Sequence, residues 1–96
     1  MKEKQKEIQA CITLIDKMIN RVTRRDYSLT TCEVYALQQS CKLTIDRCAP
    51  SLAADWIVIK NDNYDMQADT IPIMYEVQLR MDKVILEKAM ELVALD

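Results

Sequence analysis

The side chains with the clearest claim on chemistry are four cysteines, Cys11, Cys32, Cys41 and Cys48, and a basic group, Lys17, Arg21, Arg24 and Arg25, with Tyr27 beside it. Thiols offer three chemistries: a disulfide, a metal site, or reduced side chains packed in a core. Four cysteines allow three pairings, but the mixed-charge stretch Met1 to Glu7 does not have the pattern of a secretory signal. Structural zinc sites usually contain a close cysteine pair. Cys41 and Cys48, the nearest two, have six residues between them. On a helix that spacing leaves them two turns and about 10 Å apart, too far for one tetrahedral ion. The expectation is reduced core thiols in a cytoplasmic protein, with no metal.

In the basic group, Lys17, Arg21 and Arg25 stand at four-residue steps on one helix face. Arg24 and Tyr27 lie beside that row. Such a cluster could clamp a phosphate or a small anion such as a nucleotide, with Tyr27 stacking on a base. Basic residues in a last turn also complement the helix dipole and need no ligand. The net charge of −2 and a pI near 5.1 disfavour general nucleic-acid binding, which needs a basic footprint.

Two absences narrow the rest. The chain has no histidine and no glycine in 96 residues. Ser28, Ser40, Ser51 and the cysteines therefore lack the commonest general base, no Gly-rich loop can cradle phosphates, and no ordinary left-handed helix cap is expected. No paired-carboxylate signature is present. The sequence reads as non-enzymatic, with no catalytic residues and no cofactor.

The elements that must position these groups are helical. Ile8, Cys11, Ile12, Ile15, Met18, Ile19 and Val22 recur at three- and four-residue steps and predict an amphipathic helix over about 2–25. Thr30 with Glu33 reads as a capping box opening a second helix, about 30–48, whose stripe is Val34, Leu37, Cys41, Ile45 and Cys48. Pro50 breaks the chain, and Ser51 to Lys60 reads as a short third helix. Trp56 to Ile59 alone would suit a strand, but no second strand pattern exists to pair with it. The second and third helices around this break could form a helix-turn-helix, yet 51–60 is too apolar to read a DNA groove. Asn61 to Asp65 resembles a calcium loop without its glycine, and Pro72 stands where the bidentate Glu would be. It reads as a turn.

The last helix, about 69–95, carries two apolar faces. Met74, Val77, Met81, Val84, Ile85 and Leu92 form one. Leu79, Leu86, Met90 and Val93 form the other. A helix apolar on two sides needs two partners, so one face packs inside the subunit. The other, assigned to Leu79, Leu86, Met90 and Val93, packs against a second copy. The methionines Met74, Met81 and Met90, with Tyr75, suit adaptable protein contacts.

These readings give an all-α single domain over 1–96: a small antiparallel helical bundle of three long helices plus one short helix, forming a homo-oligomer. The expected function is a small cytoplasmic, non-enzymatic binding protein acting by stoichiometric contact with itself and another protein, of inhibitor, adaptor or mobile-element accessory type. The alternative is a sequesterer of an anionic small ligand held by Lys17, Arg21, Arg24, Arg25 and Tyr27. No stretch is apolar enough for a membrane span.

Overall fold

The computed structural model describes residues 2–26, 28–58 and 71–95. Three α-helices dominate: α1 (Glu3–Thr23), α2 (Thr31–Cys48) and α3 (Ile71–Ala94). A 3-10 helix, Pro50–Asp55, follows α2, and no strand occurs among the described residues. The helices form where the apolar period is 3.6. Ile8, Cys11, Ile15, Met18, Ile19 and Val22 of α1 are all buried, as are Val34, Cys41, Ile45 and Cys48 of α2.

Three sequence expectations are corrected at the level of local structure. The expected α-helix over 51–60 does not form across its described residues, 51–58, and residues 59 and 60 lie outside them. The 3-10 turn ends at Asp55, and Trp56 to Val58 run on without regular structure. Pro50 opens that turn and its missing N–H costs nothing there. The capping box before α2 is half formed. Thr30 Oγ1 accepts from the Glu33 N–H at 3.2 Å, while the Glu33 carboxylate turns away to Arg21. The third correction concerns glycine. α1 does end in an ordinary left-handed cap, with Arg25 at φ 56° in the place glycine usually takes. The Arg25 N–H donates to Val22 O and the Asp26 N–H to Arg21 O, both at 3.0 Å, which completes the Schellman pattern. The expected turn at 61–65 lies outside the described residues.

The bundle is not antiparallel throughout. α1 and α2 are antiparallel, since Arg21 pairs with Glu33 at one end and Glu7 with Arg47 at the other. α1 and α3 are antiparallel too, with Thr23 beside Glu76 and Asp16 beside Lys83. α2 and α3 are therefore parallel, and Tyr75 and Asp82 sit against Thr31 and Gln38 in the same order. The physical reason lies after α2. The chain turns back along it, so that Trp56 donates its indole N–H to the Gln38 carbonyl at 3.2 Å. Only the α1–α2 connection is the short type that sets antiparallel neighbours.

The core is one cluster drawn from all these elements: α1 and α2 stripes, Trp56, and Tyr75, Leu79, Ile85, Leu86, Ala89 and Val93 of α3. Arg25 offers a test of the glycine-free design. It is exposed and its left-handed backbone costs a non-glycine residue roughly 1–2 kcal/mol. Arg25→Gly is expected to raise unfolding stability by roughly 0.5–1 kcal/mol in urea titrations. A loss of stability there would contradict the cap assignment.

Candidate functional site

The two faces of α3 are assigned in the structure the opposite way from the sequence expectation. Leu79, Leu86 and Val93 are enclosed by the rest of the same chain, and Met90 packs half-buried against the same core. That row holds the subunit together and is closed to a second copy. The exposed apolar row is the other one. Met74, Val77, Met81 and Val84 keep 46, 56, 47 and 52% of their surface in solvent, and Leu92 and Leu95 extend the line. Only Ile85 of the expected inner face is buried.

Side-chain spacing explains the exchange. Tyr75, Leu79, Asp82, Ile85, Leu86, Ala89, Met90 and Val93 span an arc of roughly 140° at 3.6 residues per turn, wide enough to meet both α1 and α2. Met74, Val77, Met81, Val84, Lys88, Leu92 and Leu95 advance by threes and fours within roughly 80°, the narrow seam of a coiled coil. The protein is also thin, with principal extents of 44 × 23 × 16 Å. Both α1 and α2 lie against the broad face of α3, which leaves the narrow row outside.

What turns α3 this way is polar. Asp82 is fully buried on the broad face. Its Oδ2 accepts from Gln38 Nε2 of α2 at 2.8 Å and its Oδ1 from Gln78 Nε2 at 3.1 Å. Gln38 is itself fully buried and its carbonyl holds Trp56. No buried side-chain polar atom among the described residues lacks a partner. Burial pushes the Asp82 carboxyl up to about 6, although the two amide donors oppose the shift. Tyr75, two turns earlier, is also buried and raised by burial, with its hydroxyl against Thr31.

The basic group is arranged as a brace. Arg21 Nε donates to Asp26 Oδ2 and Nη1 to Glu33 Oε2, both at 2.8 Å, and Nη2 reaches Ser28 Oγ at 3.4 Å. The Ser28 hydroxyl and Arg21 together hold the Asp26 carboxyl down to about 2. The guanidinium fork that could have clamped a phosphate is thus occupied by two carboxylates of its own chain. Lys17, Arg24 and Arg25 are exposed and make no ion pair among the described residues. Arg21 does not draw them into a shared site, and Tyr27 lies outside the described residues.

The cysteines are all free thiols. Cys11, Cys41 and Cys48 are buried and Cys32 is exposed. Cys41 lies against Cys11, and that contact together with burial raises its pKa. Cys48 Sγ donates to Glu7 Oε2 at 3.2 Å. No group of three metal-ligating side chains occurs among the described residues.

Two measurements check this arrangement. The folded Asp82 pKa lies above the unfolded value near 3.8, so the folded state binds the extra proton. That stability is present below pH 4 and is lost as pH rises through 6, by up to about 3 kcal/mol. Acidification from pH 7 to 4.5 should therefore raise the urea midpoint, and Asp82→Asn should flatten the trend. A wild-type profile without this slope would sink the burial of a lone carboxylate. An aromatic disulfide reagent should titrate one thiol, Cys32, rapidly and three only as the chain opens. Two or more fast thiols would contradict the packing.

Comparison with protein-family models, with curated proteins and with solved structures finds no match to this chain in any of the three.

Proposed function

We propose that this chain is a small non-enzymatic helical protein that acts by stoichiometric protein–protein contact, as a homo-oligomer, through the outward seam of α3. The exposed row Met74, Val77, Met81, Val84 and Leu92 is the observation that carries the reading. Contiguous apolar surface on a small chain marks a contact site, and methionines in it adapt to a partner's shape. Inhibitors, adaptors and accessory subunits act in this way, by occupying a surface. The four free thiols suit a reducing compartment such as the cytoplasm. No helix among the described residues is long and apolar enough to cross a membrane.

The anionic-ligand alternative has less support, because Asp26 and Glu33 already hold Arg21.

The test compares the wild-type chain with Val77→Glu/Val84→Glu as baits in affinity capture from the cells that make it. Both valines are half exposed, so the variant should unfold at nearly the wild-type temperature. Proteins captured in equimolar amount by the wild type, a second copy included, should be lost with the variant. An identical captured set for both baits would sink the seam as the contact.

A further inference from the structure

We infer that Cys11 and Cys41 form a dithiol that hydrogen peroxide oxidises reversibly to a disulfide, latching α1 to α2. The pair lies between α1 and α2, away from the outward seam of α3, and its chemistry is independent of what that seam binds. Helix register places the two thiols together. Arg21 faces Glu33 and Glu7 faces Arg47. The two pairs stand fourteen residues apart on each helix, so one register holds along the whole antiparallel contact. In that register position 11 lies level with position 43. Cys41 is then offset by about 3 Å along the axis, and Cys48 by about 7–8 Å. Axes roughly 8–10 Å apart bring facing Cα atoms to about 4–6 Å, and a 3 Å offset keeps the pair within the disulfide range of about 4.4–6.8 Å. Cys11 and Cys41 both belong to the buried stripes that meet in the core, and their thiols are in contact. Cys32 is exposed, and Cys48 donates to Glu7 instead of to sulfur.

Cys11 supplies the nucleophile. The Cys41 thiol and the Thr44 hydroxyl donate to its sulfur and favour the thiolate, against the cost of burial. Cys41, as the donor, keeps its proton. Cys48 is the natural comparison, because it is 5% exposed where Cys11 is 6% exposed. Burial and its bond to the Glu7 carboxylate hold the Cys48 proton in place. Depth alone therefore does not separate the two.

The Cys11 thiolate attacks one peroxide oxygen and the O–O bond breaks. The departing hydroxide takes up the proton Cys11 released and leaves as water. The sulfenic acid on Cys11 is then attacked by the Cys41 sulfur. The S–S bond forms, and the hydroxyl departs with the Cys41 proton as a second water. Two thiols lose two electrons in all, and one hydrogen peroxide becomes two waters. A small thiol of the glutathione class restores the pair by exchange and is itself oxidised to its disulfide. Transient disulfides of this kind are the ones that reducing compartments permit. Peroxide needs only a slight opening to reach Cys11, whereas a bulky aromatic disulfide needs the chain to open.

The test uses the full chain with exposed Cys32 changed to Ser. It is treated near neutral pH with a few equivalents of hydrogen peroxide, and mass spectrometry after alkylation reads each thiol. The expected product has lost two hydrogens and yields one cross-linked peptide, joining Cys11 to Cys41. That pair should oxidise at least tenfold faster than Cys48. The linked chain should melt roughly 10 °C higher and return to its starting value with dithiothreitol. Adding Cys41→Ala should halt Cys11 at the sulfenic acid, where a cyclic 1,3-diketone captures it. Equal oxidation rates for Cys11 and Cys48 would overturn the inference, since general opening exposes both alike. A disulfide that includes Cys48, or a linked chain that melts lower, would overturn it as well. These readouts need no substitution in the core, so they stand even where Cys41→Ala weakens the fold.

Discussion

A carboxylate buried between two helices, with no cation beside it among the described residues, tolerates few arrangements. Asp82 needs both oxygens satisfied by donors, and the donors present are the amides of Gln38 and Gln78. An unmet buried carboxylate costs several kcal/mol, so the pairing admits one rotation of α3 about its axis. The same Gln38 accepts from Trp56 through its carbonyl. One polar node thus fixes α3 against α2 and fixes where the chain returns after the 3-10 turn. Dispersion and apolar burial supply most of the stability here, as in any small domain. The node selects which of two apolar faces they act on.

Ion pairs at the ends of the helices work in the same direction with less force. Arg21 with Glu33 and Glu7 with Arg47 bracket the α1–α2 pair, and Lys83 with Asp16 aligns α3 on α1. All are at least partly exposed and individually weak. Their value is registry: each is satisfied only when the helices run as they do. Sequence without glycine also shows how cheaply a fold can do without it. A single left-handed arginine, Arg25, closes α1, and its cost is small against a cooperative core.

How much of this was legible in the sequence depends on the range of the interaction. The stripes of α1 and α2, and the N-cap at Thr30, are local patterns and were readable, since each follows from residues within a few turns. α3 was readable as a helix with too much apolar surface. Which face lay inside was not, because that choice rests on Asp82, a residue that local reasoning treats as an interruption. A buried acid partnered 44 residues away leaves no periodic trace. The narrow three-and-four spacing of Met74, Val77, Met81 and Val84 was the available clue, since a globular core face is usually broader. Arg21 shows the same limit. Its row with Lys17 and Arg25 suggested an anion clamp, and only the fold brings Glu33 across to occupy it. The parallel arrangement of α2 and α3 was hidden too, because Trp56 must reach back to Gln38 before the connection can be seen to reverse.

The central claim is that a buried Asp82 turns the Met81 and Val84 row outward. Carbon-13 NMR of the Asp82 side-chain carboxyl against pH measures this directly. The account predicts a midpoint near 6, coupled to shifts of the Gln38 and Gln78 amide protons. A midpoint near the ordinary 3.8, with the glutamine amides unmoved, would place the carboxylate in water. The helix would then be turned the other way, with Met81 and Val84 in the core.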